Sequence, residues 1–468
     1  MLILLIALEC AGLALIPHVL LSGKRSVSKL TWISFILFLP VLGSIGYLLI
    51  GNDRVRRRRF KRRASRRQHT GQDPQSSSHF TGQNQEERDV LSTLSQLCSQ
   101  PVTTITKVDA YYNGREYYPA LIQAIQEATR YIHIEVYLWH NDETGRKILT
   151  ELTNAAKRGI EVLVLVDEIG TIEVSERFFS PLLAAGGKFS WFYTFHPRRN
   201  RYFFNLRNHR KLQVIDGRLA FIGGMNIGLE YEGLNPAIGE WKDLQIRIGG
   251  DVVNHLDDVF RHDWYFATDM EVSSQHQPDV LQKQDTGCPA VIIESGPDSN
   301  YGIALTSLLA IINSSSRQLD LFTPYFVPEP SLISALQIAV ARGVVVRLMI
   351  AKKNDFQFLI DIGRSFYDEL LAAGVHIYEY DLCMHHAKMV MVDGTWIKVG
   401  SANLDARSMY LNFELGVFFK SPELCRIIAL YTDKLFIDSV RVDREKFAQR
   451  SLYQRLKQGF LGLWAPIL

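Results

Sequence analysis

The chain has 468 residues, of which 47% are hydrophobic, and a formal net charge of +3. This length is sufficient for two or three domains. Ten positive charges lie close together, and removing them from +3 leaves the rest of the chain at −7, which argues against a broad nucleic-acid-binding face. The ten residues are Arg54, Arg56, Arg57, Arg58, Arg59, Lys61, Arg62, Arg63, Arg66 and Arg67.

The cysteines exclude two further classes of protein. They are five in number, widely scattered, and include no C-x-x-C pair, so they indicate neither a zinc site nor a disulfide framework. We therefore expect the body of the protein to face a reducing, cytosolic compartment. The five residues are Cys10, Cys98, Cys288, Cys383 and Cys425.

Two apolar stretches open the chain, at residues 1–21 and 30–50. A helix of about 21 residues rises about 32 Å, close to the thickness of the hydrocarbon core, so we expect a membrane hairpin of two transmembrane helices over 1–51. A hairpin that dips in without crossing, or one span with an interfacial partner, remains as an alternative. A signal peptide fits poorly, because no basic region precedes the first stretch and no small-residue cleavage site follows it.

The basic run that follows the second stretch predicts the orientation in the cell membrane. Positive clusters stay on the cytoplasmic side, so both termini and the body of the protein should lie inside. Attraction to anionic lipid headgroups is a second interpretation of the same run, and the two are compatible. Residues 52–100 are predicted to be a basic juxtamembrane segment and a flexible linker, because 68–88 is rich in Gln, Ser and Gly.

Helical and strand patterns alternate from about Val102 onward, and the second half repeats the first. Helices are predicted at 119–130, 148–157, 303–312 and 332–341, and strands at 131–138, 160–166, 319–322 and 344–350. This pattern predicts an α/β fold of two tandem domains, 101–280 and 281–468. Their boundary should lie between 269 and 290, where the sequence turns polar.

One short cluster occurs in each half with identical spacing, H-x-K-x4-D-x6-G-x-x-N. Five fixed residue types recur by chance on the order of 10⁻⁷ per start position, so the second copy marks a duplication. The two copies are His209, Lys211, Asp216, Gly223 and Asn226, and His386, Lys388, Asp393, Gly400 and Asn403. Two imidazoles suggest one site built from two half-sites, with one histidine attacking and the other handling protons.

Each cluster is predicted to lie on a β-hairpin. Strands at 212–215 and 389–392 end in Asp-Gly turns and return as strands at 219–222 and 396–399. Side chains two apart on a strand share a face, so the histidine and lysine of each cluster point the same way, whereas the turn aspartates are better placed to anchor the hairpin. An imidazole, an ammonium and an amide form a phosphate-sized donor set. A metal site is disfavoured, because lysine is a poor ligand.

The double motif resembles the defining motif of the phospholipase D superfamily, and further segments are similar to bacterial cardiolipin synthases. These segments are 39–43, 47–51, 223–226, 323–328, 400–408 and 412–414. The resemblance covers nearly the whole chain. It implies two tandem phospholipase D-like α/β/α sandwich domains that form one pseudo-twofold active site. It also implies a phosphatidyltransferase that converts two phosphatidylglycerol molecules into cardiolipin and glycerol, with no metal or nucleotide cofactor.

The resemblance implies roles for individual residues. His209 and His386 would be the nucleophile and the general acid/base, with His209 preferred as the nucleophile that forms a phosphatidyl-histidine. A carboxylate would orient each histidine, Asp243 for His209 and Glu414 for His386, as a triad aspartate does, with an ordinary salt bridge as the alternative. The phosphate would be held by Lys211, Lys388, Asn226 and Asn403, and the catalytic set would also include the motif aspartates Asp216 and Asp393.

The implied partners are phosphatidylglycerol, other membrane phospholipids and the bilayer, with no nucleic acid and no prediction of oligomeric state. The rival functions are a hydrolytic phospholipase D, a phosphatidylserine synthase-like transferase, a nuclease and an inactive membrane scaffold. Membrane segments favour a lipid acceptor over water. The nuclease is disfavoured because the basic run lies beside the membrane segment, and the scaffold because both histidines and both lysines are present.

Two details lie outside the motif pattern. Gly224 stands where the second cluster has Ser401, so the two half-sites differ by one hydroxyl. In the C-terminal tail, apolar side chains fall near one helical face, at Leu452, Leu456, Phe460 and Leu463. We expect this face to pack in the core, with docking at a membrane interface as the close alternative.

Overall fold

The computed structural model describes residues 12–22, 26–48, 85–192, 206–236, 238–272, 287–299, 302–354 and 356–465. The predicted basic run, most of the predicted linker and the first part of the first apolar stretch lie outside these residues. In the described part of the chain before residue 85, the helices are α1 (Ile16–Leu21), α2 (Ser26–Phe38) and α3 (Pro40–Gly46).

The second apolar stretch is not one continuous helix. It breaks at Leu39, before Pro40, because a proline cannot continue the hydrogen-bond ladder of the preceding turn. Gly43 then packs against the preceding helix so closely that a Cβ there would lie 2.3 Å from the Phe35 carbonyl oxygen. Among the described residues, no helix is both long enough and apolar enough to cross a bilayer.

The described residues between 85 and 272 form five helices and ten strands. The helices are α4 (Gln85–Cys98), α5 (Gly114–Glu127), α6 (Glu143–Lys157), α7 (Ser180–Ala184) and α8 (Val252–Thr268). The strands are β1 (Val102–Ile105), β2 (Lys107–Tyr111), β3 (Tyr131–Val136), β4 (Glu161–Val166), β5 (Lys188–Trp191), β6 (Arg207–Asn208), β7 (Leu212–Ile215), β8 (Leu219–Gly223), β9 (Trp241–Lys242) and β10 (Gln245–Gly249). Two 3₁₀ turns lie at Glu176–Phe179 and Leu229–Glu232.

The described chain from residue 287 onward contains eight helices and eleven strands. The helices are α9 (Ile303–Asn313), α10 (Pro330–Ala341), α11 (Gln357–Arg364), α12 (Tyr367–Ala373), α13 (Ala406–Tyr410), α14 (Pro422–Ile437), α15 (Arg444–Ala448) and α16 (Leu452–Gly462). The strands are β11 (Cys288–Ser295), β12 (Gln318–Thr323), β13 (Phe326–Val327), β14 (Val345–Ala351), β15 (His376–Tyr380), β16 (Met384–His385), β17 (Met389–Val392), β18 (Trp396–Gly400), β19 (Leu404–Asp405), β20 (Asn412–Lys420) and β21 (Val440–Arg441).

Two large sheets have matching topology. The first runs β2-β10-β8-β7-β3-β4-β5, and the second contains β11-β20-β18-β17-β12-β14-β15 in the corresponding order. In each, the last three strands are parallel to one another and the others are antiparallel. The tandem α/β prediction is therefore confirmed, including the two hairpins that carry the repeated motif.

Three apolar cores hold the sheets and helices together. One contains residues from both sheets together with α8 and α14, so the two domains share it. A second lies between the second sheet and α4, α9, α10 and α12, and a third between the first sheet and α5 and α6. Because one core is common to both domains, their facing strand ends are held in a defined relation.

The predicted linker, residues 52–100, and the predicted start of the first domain at residue 101 are partly wrong. Residues 85–98 form helix α4 instead of a flexible tether, and Leu91 and Leu94 are fully buried in the core of the second domain. The following strand, β1, pairs with β11 of the second sheet. The composition of 68–88 hid this helix, because its apolar residues begin only at Val90.

The prediction for the C-terminal tail is also wrong. Its helix forms, but the apolar stripe Leu452, Leu456, Phe460 and Leu463 is exposed, whereas the buried residue of the helix is Gln458. The tail therefore does not pack its apolar face into the core.

We expect Leu91→Ala and Leu94→Ala each to destabilise the protein by about 3 kcal/mol, because each would leave a cavity in a packed core. Leu97→Ala is the matched control on the same helix, since Leu97 is partly exposed, and it should cost under about 1 kcal/mol. Denaturant unfolding of the full-length protein measures the difference. Equal, small effects at all three positions would mean that α4 is a tether after all.

Candidate active site

The two motif histidines lie at the junction of the domains, and each domain supports the histidine of the other. Strand β6, just before His209, pairs with the start of β20, and the His209 N–H donates to the Phe413 carbonyl oxygen at 2.9 Å. Strand β16, just before His386, pairs with β9, and the His386 N–H donates to the Lys242 carbonyl oxygen at 2.7 Å. The site therefore has the predicted pseudo-twofold arrangement.

Each histidine is bonded to a carboxylate of the other domain. His209 Nδ1 lies 3.0 Å from Glu414 Oε2, and His386 Nδ1 lies 2.8 Å from Asp243 Oδ2. The predicted pairing, Asp243 with His209 and Glu414 with His386, is therefore wrong, because sequence proximity assigned each carboxylate to its own half. Since a carboxylate only accepts, Nδ1 carries the proton and Nε2 is left for substrate.

The site is dry enough to keep both imidazoles neutral. Burial lowers the pKa of His209 to about 4, although Glu414 alone would raise it. Burial and the charge of Lys388 likewise lower the pKa of His386 to about 3, against the attraction of Asp243. At neutral pH each histidine therefore presents an unprotonated Nε2.

The two carboxylates remain ionised in the same setting. Burial alone would raise the pKa of Glu414, but His209 and Lys211 outweigh it and hold the pKa at about 2. Burial would also raise the pKa of Asp243, but its neighbour His386 lowers it. The carboxylates are thus negative acceptors that fix the orientation and tautomer of both rings.

The two motif lysines are buried beside the histidines, as the strand periodicity predicts. Lys211 Nζ donates to the His209 carbonyl oxygen at 2.7 Å, and Lys388 Nζ donates to the His386 carbonyl oxygen at 2.5 Å. Burial lowers the pKa of Lys211 to about 7, despite the charge of Glu414. A phosphate or other anion bound next to Lys211 would stabilise its charged form and raise its pKa again.

The motif aspartates lie at the hairpin turns, away from the histidines. Asp216 has a φ of 56° and accepts from the backbone N–H groups of residues 129, 130 and 131. Asp393 has a φ of 53° and accepts from those of residues 316, 317 and 318. Their inclusion in the catalytic set is therefore wrong, and their role as hairpin anchors is confirmed.

The two motif asparagines differ in their surroundings. Asn226 donates its amide N–H to the Tyr231 hydroxyl at 2.6 Å and accepts from the Leu138 N–H at 3.2 Å. Asn403 Oδ1 is buried and has no hydrogen-bond partner among the described residues. The predicted role of both in phosphate binding is untested by these contacts.

Gly224 and Ser401, which occupy equivalent places in the two motifs, each suit the length of the carboxylate beside them. Ser401 Oγ donates to Glu414, which adds a hydrogen bond to the longer of the two acids. At Gly224 a Cβ would lie 2.1 Å from Asp243 Oδ1, so the shorter acid needs the space that glycine leaves. Each carboxylate thus has a matching residue on the returning strand of the neighbouring hairpin.

Sequence analysis missed the buried charges behind the first motif. Arg210, fully buried, donates to Asp263 and, at 2.9 Å, to Glu294 Oε1 of strand β11. Burial and then Asp263 raise the pKa of Glu135 well above its usual range, and Asn208 donates a hydrogen bond to Glu135. The signal in the sequence is the H-R-K of the first motif, since the second has Ala387 in place of Arg210.

Aromatic rings line both half-sites. The ring centroid of Tyr137 lies 5.1 Å from that of His209, and Lys211 Nζ lies 5.3 Å from the Tyr137 centroid. Around His386, the ring centroids of Trp241 and Tyr325 lie at 5.2 and 6.5 Å. These rings explain how the site excludes water from its histidines.

Comparison with known proteins identifies the family. The family model described as cardiolipin synthase, PLD-like domain, matches residues 121–264 and 308–435, and the model described as phospholipase D-nuclease N-terminal matches residues 12–52. The chain is 34% identical to a cardiolipin synthase of Clostridium perfringens (strain SM101 / Type A), over 93% of each chain. It is 33% identical to the major cardiolipin synthase ClsA of Bacillus subtilis (strain 168), over 96% of each chain.

A solved structure supports the fold. The phosphatidylserine synthase of Haemophilus influenzae Rd KW20 superposes with a TM-score of 0.61 at 15% identity, covering 81% of this chain and 97% of that one. This likeness concerns the fold alone. Together with the duplicated motif and the paired half-sites, the matches over most of the sequence show that the chain belongs to the cardiolipin synthase family of phospholipase D-like enzymes.

Proposed function

We propose that this enzyme transfers a phosphatidyl group from one phosphatidylglycerol to another, giving cardiolipin and glycerol. The observation that carries the proposal is the pair of neutral histidines, His209 and His386, each held through Nδ1 by a carboxylate of the other domain. Two such imidazoles are what a double displacement at one phosphorus requires, because one group must attack while the other moves protons.

The first displacement breaks the bond between phosphorus and the terminal glycerol oxygen. His209 Nε2 attacks phosphorus and forms a phosphatidyl-histidine, while protonated His386 gives its Nε2 proton to the departing glycerol oxygen. The incoming phosphodiester supplies the negative charge that raises the pKa of His386 and lets it carry this proton. Lys211 and Lys388 neutralise the charge on the non-bridging oxygens.

The second displacement restores the enzyme. His386, now neutral, takes the proton from the terminal hydroxyl of a second phosphatidylglycerol, whose oxygen attacks phosphorus and releases His209. Asn403 and Asn226 are proposed as further phosphate ligands, which requires Asn226 to exchange its bond to Tyr231 for one to phosphate. The acceptor hydroxyl outcompetes water because the rings around the histidines limit access of solvent.

We also propose that the N-terminal apolar segment anchors the enzyme in the cell membrane, with two spans and the catalytic domains facing the cytoplasm. The match of residues 12–52 to the N-terminal family model supports this, as do the exposed apolar side chains of the segment, such as Leu30, Phe38 and Leu42. The basic run at 54–67 sets the orientation.

Purified enzyme given labelled phosphatidylglycerol in vesicles should yield cardiolipin and an equal amount of glycerol. His209→Ala and His386→Ala should each reduce this by at least about 10⁴-fold, because each removes a separate chemical group. A rapid quench in denaturing detergent at neutral pH, which preserves the acid-labile N–P bond, should trap labelled lipid on His209. Phosphatidic acid as the sole product would identify a hydrolase, and label trapped on His386 would reverse the proposed roles.

The alkaline limb of kcat/KM should become steeper above about pH 7, as Lys211 loses its charge, because His386, which must carry a proton in the first displacement, already loses it at much lower pH in the free enzyme. Lys211→Arg should shift the alkaline limb upward, because a guanidinium stays protonated. An alkaline limb that does not move in Lys211→Arg would rule out Lys211 as the group responsible.

Deletion of residues 1–67 should make the protein extractable from membranes by an alkaline carbonate wash, which removes proteins bound at the interface but not spanning ones, because the proposed spans would be gone. Turnover of a short-chain, water-soluble phosphatidylglycerol should stay within about twofold of the full-length enzyme, since none of the named site residues is deleted. The full-length chain is the control. Retention of the shortened chain in washed membranes would contradict the proposed anchor.

A further inference from the structure

The C-terminal helix α16 has its apolar stripe on the wrong side for a soluble protein. Leu452, Leu456, Phe460 and Leu463 are exposed by 69, 63, 62 and 69%, although each is a large hydrophobic residue. At about 100° per residue these four fall within about 80° of one another, and the buried Gln458 lies on the opposite face. The helix therefore packs on the protein through Gln458 and the partly buried Leu461, and presents the four-residue apolar stripe outward.

Cations border this stripe on both sides. At about 100° per residue, Arg455 and Lys457 project from its two flanks, where long basic side chains can reach phosphate headgroups. Lys457 also bonds to Asp361 of helix α11 at 2.6 Å, which holds α16 in place. An outward apolar stripe between two basic flanks is typical of a helix lying in the plane of a membrane surface.

The stripe is continuous with the N-terminal apolar segment. Trp464, just after α16, has its ring centroid 5.4 Å from that of Phe35 in helix α2. Near this contact, helix α2 exposes Leu37 and Phe38, the latter by 83%. Two separate parts of the sequence thus expose apolar side chains next to each other. A contiguous apolar patch of this kind marks an interaction surface, whereas single exposed apolar residues are common on any protein.

The same surface leads to the active site. Phe356 and Phe358, beside helix α11, are each about half exposed. The ring of Phe356 lies 6.0 Å from Tyr325, whose ring in turn lies 6.5 Å from His386. A lipid whose acyl chains stay among these exposed rings could thus bring its phosphate toward the histidines without leaving an apolar environment.

We propose that α16 and the exposed rings of Phe356 and Phe358 lie in the plane of the lipid bilayer. The phospholipid substrate would then enter the site from that side. This rests on the proposed function, because the lipid is its substrate. The partner of this apolar surface is the bilayer itself. Two observations favour it: the surface is continuous with the N-terminal apolar segment, and basic side chains flank it. A second copy of the chain or a protein partner would be a different outcome of the test below.

The activity test compares two substrates and two variants of the full-length enzyme. The double variant Leu456→Asp with Phe460→Asp should lower turnover of phosphatidylglycerol in vesicles by at least about tenfold, because two charges would enter the acyl region. Turnover of short-chain, water-soluble phosphatidylglycerol should stay within about twofold. Leu430→Asp, at a leucine of α14 that is 76% exposed, is the matched control and should leave both rates unchanged.

A second measurement does not depend on catalysis. A photoreactive benzophenone amino acid at position 456, in full-length enzyme reconstituted in vesicles of labelled phosphatidylglycerol, should attach lipid several-fold more than the same group at position 430. Cross-linking to protein at 456, or equal lipid labelling at both positions, would overturn the proposal. So would an equal loss of turnover on both substrates, or no loss on vesicles. A wild-type enzyme that makes no cardiolipin from either substrate would instead refute the proposed function.

Discussion

The active site depends on one interaction made twice, a hydrogen bond from the Nδ1 of a motif histidine to a carboxylate of the other domain. The partners are 205 residues apart for His209 and Glu414, and 143 apart for His386 and Asp243. Neither domain can therefore form a complete half-site alone. The shared apolar core and the exchanged strand pairs hold the two halves in the one arrangement in which both bonds form.

Burial and charge work against each other throughout this site. Loss of water disfavours every ionised group, which leaves the histidines neutral and brings the pKa of Lys211 to about 7. The two carboxylates stay ionised because hydrogen-bond donors and cations surround them. The result is a site with an unprotonated nucleophile and two buried lysines placed to meet the negative charge that a phosphodiester brings.

The half-sites are related by duplication but are not equivalent. Arg210 ties the first motif to the buried acids Asp263 and Glu294, whereas the second motif has Ala387 at that place. The aspartate that supports His386 is packed against a glycine, whereas the glutamate that supports His209 accepts a hydrogen bond from a serine. These differences give a physical basis for assigning different chemical roles to the two histidines.

The sequence by itself determined the features that depend on local spacing. The i, i+2 relation put His209 and Lys211 on one side of a hairpin, the Asp-Gly pairs located its turns, and the repeated motif predicted the tandem fold. Only the tertiary structure decided the crossed histidine–carboxylate pairs, the assignment of α4 to the second domain and the outward apolar face of α16. These depend on contacts between residues far apart in sequence, and a pattern that shows which face of an element is apolar does not show what lies against that face.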